Sequence, residues 1–332
     1  MPLLIEMPDA APIVKNYIWG PPEKTFKFPE AISDFSSTGI ASHDEFVSTV
    51  DGDPVVRSFR NMTINANHIV RPTNRCKGMF IHVSGNLVIN GQLTMTARGA
   101  KAEGKYVGID KVNKEIYFHS TNIYPEDPRF SVIGANGGAR RTVVNTIGTS
   151  GINGACGGGG CGSVENSFGG SNGFGAAGTS FSGGAGGGGS PRAAGGNGVD
   201  GGGAGGAGVS WYSGTRWWPA GGGAGNPGGA AGTSGYSGNT GTGGLIILFV
   251  DGTITFGTNG RILSQGSAGG AGYDGGGGSG GGAIHIFHKG NAPDQTKLSV
   301  LGGGGGPPLT INSITGISGF SGGVGSIRVE QI

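Results

Sequence analysis

Glycine returns at every third position over long stretches of this sequence, and that period limits the fold more than any other feature. Gly148, Gly151, Gly154, Gly157 and Gly160 keep it, as do Gly229, Gly232, Gly235, Gly238, Gly241 and Gly244. It returns at Gly266, Gly269, Gly272, Gly275, Gly278 and Gly281, and in shorter stretches such as Gly202, Gly205 and Gly208 or Gly316, Gly319, Gly322 and Gly325. A polyproline II helix has three residues per turn, so these glycines line up along one face of an extended helix. With no Cβ, that face can press against a neighbouring chain. The expectation is a bundle in which many short runs of one chain stack side by side, each satisfying the backbone N–H and C=O groups of the next. The stretch from Gly266 to Gly281, taken as one straight helix, would be about 50 Å long at the polyproline II rise. The glycines expected to hold the bundle together are Gly151, Gly154, Gly157, Gly205, Gly208, Gly232, Gly235, Gly238, Gly269, Gly272 and Gly275.

Composition removes the other folds that tolerate so much glycine. The chain has 78 glycines but only 16 prolines in 332 residues, too few prolines for collagen and no unbroken G-X-Y frame. Interior glycines cost close to 1 kcal/mol each in an α-helix, which argues against a helical fold. A net charge of +2 with 13% charged residues gives no basic stripe for nucleic acid, and 35% apolar residues are too many for simple disorder. The expected class is mainly β and irregular: short-strand β modules plus a stacked polyproline II glycine bundle, with almost no α-helix.

Glycine is unevenly placed: nine precede Ser131, which leaves 69 of the 78 beyond it. Three regions follow. Residues 1–75 hold scattered prolines and aromatics with no sustained strand period and a short helix expected around Ser42 to Val50; this region is expected to serve attachment or assembly. Residues 76–133 read as a β module, with strands at Met79 to Val83, Asn86 to Ile89, Gln92 to Thr96 and Lys114 to Ser120, punctuated by Ser84-Gly85 and Asn90-Gly91. Residues 134–332 form the glycine-rich bundle with inserted strands over 245–264, 283–301 and 326–332. The strand–turn–strand plan of 79–96 is written again at Leu245 to Ser264, which suggests a sandwich or a solenoid-like layer. Leu245 to Val250 is apolar on both faces and reads as a doubly covered central strand.

The glycine runs, broken by short polar or aromatic links from about Gly134 to Gly325, resemble the glycine-rich adhesins at the tips of T-even-type bacteriophage long tail fibres and related glycine-rich tailed-phage proteins. The resemblance implies a polyproline II sandwich and binding to a bacterial surface receptor through loops between the runs. The β modules and the longer N-terminal region depart from that family, so its mode of attachment does not carry over.

The main interruption is Val209-Ser-Trp-Tyr-Ser-Gly-Thr-Arg-Trp-Trp-Pro-Ala220. Trp211, Tyr212, Arg216, Trp217 and Trp218 are the residue types that dominate binding hot spots, because they offer rigid amphipathic area at low entropic cost. The alternative is that they cap the bundle or pack on a neighbouring subunit. No enzyme is expected. The six histidines are dispersed, and His285 and His288 on one strand point to opposite faces. Gly99 to Lys105 imitates a P-loop, but Tyr106 stands where the magnesium-binding Ser/Thr belongs. Cys156 and Cys161 lack a second ligand pair, so no metal is expected; with Cys76 the cysteines number three, an odd count that implies no disulfide framework, and no cofactor is expected.

The functional expectation is a virion protein, made in the host cytoplasm and displayed on the particle as a tail-fibre or tail-tip adhesin. Its partners would be other virion proteins through the N-terminal region and a bacterial surface glycan or outer protein, with no nucleic acid and no membrane insertion. A homotrimer is the assembly considered. The alternative is a purely structural virion protein, such as a head fibre, decoration protein or fibre shaft. A third class, a glycine-rich cell-surface or ice-binding protein, is disfavoured because no secretory signal is recognisable at the N-terminus.

Overall fold

The computed structural model describes residues 22–39, 43–100, 106–120, 129–133, 156, 175, 178–187, 211–213, 216–218, 241–273, 275–311 and 314–332. Short apolar segments separated by polar corners dictate its frame. Strand β1 (Lys24–Lys27) comes first, and a parallel solenoid then begins with β2 (Phe35–Ser36) and β3 (His43–Phe46). The second coil contributes β4 (Val55–Phe59), β5 (Met62–Ile64) and β6 (Ile69–Pro72), and the third β7 (Met79–Val83), β8 (Leu87–Ile89) and β9 (Gln92–Thr94). An insertion carries β10 (Tyr106–Asp110), β11 (Glu115–His119), β12 (Phe130–Ile133) and the pair β13 (Trp211–Ser213) and β14 (Arg216–Trp218). The solenoid resumes with β15 (Leu245–Val250), β16 (Ile254–Phe256) and β17 (Arg261–Leu263), then β18 (Ala283–His288) and β19 (Leu298–Ser299). After the small pair β20 (Thr310–Ile311) and β21 (Ile314–Thr315), β22 (Ser326–Gln331) ends it.

Each coil lays successive strands on successive faces, so three parallel sheets form. Face one runs β4-β7-β15-β18-β22, face two β2-β5-β8-β16 and face three β3-β6-β9-β17-β19. Their inward side chains make one core: Met79, Ile81, Leu248 and Ile286 from face one, Met62, Ile64 and Ile89 from face two, and Val70, Leu93 and Ile262 from face three. One phenylalanine from each face closes the first-coil end. The rings of Phe35, Phe46 and Phe59 lie 5.0 to 6.2 Å apart, a plug that keeps water from the core.

Asparagines hold one corner in step. The Asp34 carboxylate accepts from Asn61 N at 3.1 Å, the Asn61 amide oxygen from Asn86 N at 3.0 Å, and the Asn86 oxygen from Thr253 N at 3.0 Å. Each corner side chain thus satisfies a backbone donor of the next coil that no strand partner reaches.

Face one is apolar on its outer side as well. Leu245–Val250 is fully buried, with Ile246, Leu248 and Val250 in the solenoid core and Leu245, Ile247 and Phe249 in a second core. That second core is roofed by an antiparallel sheet of order β1-β11-β10-β12, which contributes Val107, Ile109, Ile116 and Phe118. A strand buried on both faces has to be apolar throughout, as the sequence of β15 is.

The glycine array grows from the corner between faces three and one. Residues 275–282 form its centre, and the three-residue repeat lets each set of glycines serve a different neighbour. Gly275, Gly278 and Gly281 donate to Ile317, Phe320 and Gly323; Gly276, Ser279 and Gly282 donate to Gly270, Ser267 and Ser264; Gly277 and Gly280 donate to Gly187 and Gly184. The carbonyls of Gly276 and Ser279 accept from Gly306 and Gly303 at 2.8 Å. This is the repeat of polyproline II, with the backbone groups satisfied between runs. Gly269 donates to Gly304 and Gly272 to Pro307 in the same way.

Several expectations need correction. The stretch from Gly266 to Gly281 is not one long helix: it folds back at Tyr273, so that 264–270 and 276–282 pair antiparallel. The expected helix at 42–50 is strand β3, because His43 to Phe46 pair in register with Ile69 to Pro72. Among the described residues the only helical element is a 3-10 turn at Gln295–Lys297, and the protein is mainly β as expected. Residues 22–75, read as lacking strands, supply six of them, β1 to β6. The three sequence regions also do not separate in space, since face one takes strands from each of them.

Candidate functional site

The aromatic segment forms a hairpin of backbone. β13 and β14 pair antiparallel with Trp211 opposite Trp218, Tyr212 opposite Trp217 and Ser213 opposite Arg216. All five residues singled out for binding therefore sit within one two-stranded ladder. Of the glycines singled out, Gly269, Gly272 and Gly275 lie in the described array; Gly151, Gly154, Gly157, Gly205, Gly208, Gly232, Gly235 and Gly238 lie outside the described residues, as does Cys161. A Cβ on Gly269 would meet Gly276 O at 2.1 Å, and one on Gly275 would meet Gly306 O at 2.0 Å, so the close approach itself requires glycine at both.

A second site was not legible in the sequence. Where the added sheet meets face one, the β10–β11 turn brings Lys114 over the ends of β7, β15 and β18. The Lys114 ammonium donates to the Asp251 carboxylate just past β15, and it lies 2.9 Å from His82 Nε2 on β7. His82 Nε2 is 3.1 Å from Asp251 Oδ2, and Lys289 Nζ, just past β18, is 3.0 Å from Asp251 Oδ1. Asp110 builds the turn, accepting from Val112 N at 2.9 Å and Asn113 N at 3.0 Å. Lys114 is held at φ 54°, a left-handed conformation that a non-glycine residue adopts only under local constraint. Burial pushes the Asp251 carboxyl upward, but the bonds from Lys114, His82 and Lys289 outweigh it and hold the group down at about 2. Burial pushes the His82 imidazole down, so it is neutral at pH 7. One turn further out, Lys111 Nζ reaches Glu330 Oε2 at 2.9 Å, and Glu330 also pairs with Arg328 on its own strand. Beside these pairs opens a cavity of about 490 Å3 lined by Lys111, Val112, Lys114, Arg129, Lys289 and Ile332.

The other chemical groups are structural. Cys76 lies in the solenoid core and Cys156 under the roofing sheet, and burial raises both thiols above their ordinary range, which leaves them poor nucleophiles and ligands. His285 faces the second core and His288 the opposite side, where its Nδ1 lies 2.7 Å from Gly290 O. Among the described residues no His, Cys, Asp and Glu group is arranged to hold a metal ion. No protein-family model, no curated protein and no solved structure matches this chain.

Proposed function

We propose that the chain is a phage virion protein that acts as a tail-fibre or tail-tip adhesin. The observation that carries the reading is the combination of a cross-bonded glycine array with an aromatic hairpin inserted in the same chain between glycine runs. An array bonded on every side is a stiff mount, and a Trp/Tyr/Arg ladder is the chemistry of a surface contact. The hairpin is the receptor contact, taking a bacterial surface glycan or outer protein, and the N-terminal region makes the attachment to other virion proteins. The test replaces Trp211, Trp217 and Trp218 by alanine in the assembled particle. Adsorption to host cells should fall by at least about tenfold while particle yield is kept; retained adsorption would overturn the reading.

The structural alternative draws on a different observation. Among the described residues β22 is the outermost strand of face one, and Ile327 on it is 37% exposed. A strand edge with an exposed apolar side chain suits stacking on a neighbouring element, and another protein of the particle is the neighbour this alternative assigns. Locating the chain at the capsid wall or fibre shaft, away from the distal tip, would favour that role.

A further inference from the structure

The hairpin is one contact surface; the cavity beside the β10–β11 turn is a different one, and its charge is unusual for this chain. Only 13% of residues are charged, yet Lys111, Lys114, Arg129, Lys289 and Arg328 gather here. Among the described residues two carboxylates answer Lys111, Lys114, Lys289 and Arg328. Asp251 is shared between Lys114 and Lys289, and Glu330 between Lys111 and Arg328, so each single negative charge faces two cations. Asp110 is turned into its own loop by two backbone donors and the Asn113 amide. Arg129 stacks on the Phe130 ring at 5.3 Å.

We propose that this cavity is a binding site for an acidic saccharide, whose carboxylate or phosphate oxygens sit among Lys111, Lys114, Arg129 and Lys289. Three features select that ligand class. The side chains of Lys111 and Lys114 are only 16% and 19% exposed, so their positive charge is held in place and partly desolvated, where an anion gains more than at a fully wet surface. The volume, about 490 Å3, is that of a small-ligand site and much larger than a site for one inorganic ion. Val112, 63% exposed at the turn, and Ile332 supply an apolar wall for the C–H face of a sugar ring. The clamp Asp251–Lys114 fixes the turn, so the site is formed before the ligand arrives.

The test titrates the full chain by calorimetry with a glucuronate-containing oligosaccharide, with glucose 6-phosphate and with neutral maltotriose. The acidic probes should bind at least about tenfold more tightly than maltotriose, and their affinity should weaken as salt rises from about 20 to about 200 mM. The tighter of the two names the anionic group. Val112→Glu adds a negative charge at the rim without removing any clamp contact, and it should cost about tenfold in affinity for both acidic probes. Arg129→Gln with Lys289→Gln should do the same; if that variant fails to fold, Val112→Glu decides alone. Equal binding of maltotriose, no binding of either acidic saccharide, or unchanged affinity in Val112→Glu would overturn the proposal. The aromatic triple variant should bind these probes as the unaltered chain does, so the two readings fail separately.

Discussion

A methyl group on Gly278 would lie 2.0 Å from the carbonyl oxygen of Gly303, inside a fully buried run whose neighbours are backbone. On Gly304 the same methyl group would meet nothing within 4 Å. Gly278→Ala should therefore cost about 2–3 kcal/mol by forcing two runs apart, and Gly304→Ala should stay within about 0.5 kcal/mol. Thermal melting of the two variants checks this, and equal shifts would contradict the packing. Asp251 gives the pH dependence. Its folded pKa, about 2, lies below the ordinary 3.8, so its contribution is complete above pH 4 and is lost as pH falls toward 2. The amount is about 1–2 kcal/mol, and Asp251→Asn should flatten that part of the acid-denaturation curve. The sequence showed the glycines but not this cluster. His82, Lys114, Asp251 and Lys289 are far apart along the chain: the parallel register of β7, β15 and β18 brings His82, Asp251 and Lys289 to one end of face one, and the added sheet lays Lys114 over them.

Among the elements, the first coil depends most on a few side chains, since β2 and β3 are short edge strands. The Phe35, Phe46 and Phe59 plug closes it. Phe46 is 8% exposed, and Phe46→Ala should cost about 3 kcal/mol. Hydrogen exchange should then speed up in β2 and β3 while β15 stays protected; uniform acceleration along the solenoid would argue against a local plug. The corner ladder is a smaller term. Asn86→Ala removes an acceptor for both Thr253 N and Thr253 Oγ, and should cost about 1–2 kcal/mol in the same melting measurement. Strands such as Met79–Val83 and Leu245–Val250 were legible because apolar alternation or a solid apolar run marks them. β4 and β6 were not, because charged residues and a proline interrupt the apolar pattern: Arg57 stands on the core side of β4 at the solenoid end, over the Phe46 ring, while Arg71 alternates with buried Val70 and Pro72 ends its strand. The glycine period was legible, but the reversal at Tyr273 was not, since the period of three continues across it unbroken.

At the scale of the molecule, the decisive event is the long insertion between coils three and four, which no local pattern announces. Leu93 of β9 pairs with Ile262 of β17, so coil four stacks on coil three as though nothing intervened. The roofing sheet, three of whose four strands lie in the insertion, covers Phe80, Phe249 and Phe287 on face one. Excising residues 101–240 removes three of the four roofing strands and leaves β1 without its partner β11, so most of the aromatic face should be uncovered, and light scattering should show self-association. Changing Phe80, Phe249 and Phe287 to threonine in the excised chain should restore a monodisperse protein; persistence of the aggregates would mean that the solenoid itself does not survive the cut. The two ends of the insertion leave the coil together, with Gly99 N donating to Thr242 O at 3.0 Å. That single hydrogen bond is a natural splice point. Recombination can exchange the outward cassette between lineages while the scaffold stays constant, on condition that each replacement brings its own lid for the aromatic face. Sequence diversity among descendants of such a gene should accordingly concentrate between residues 100 and 242 and thin out abruptly on either side.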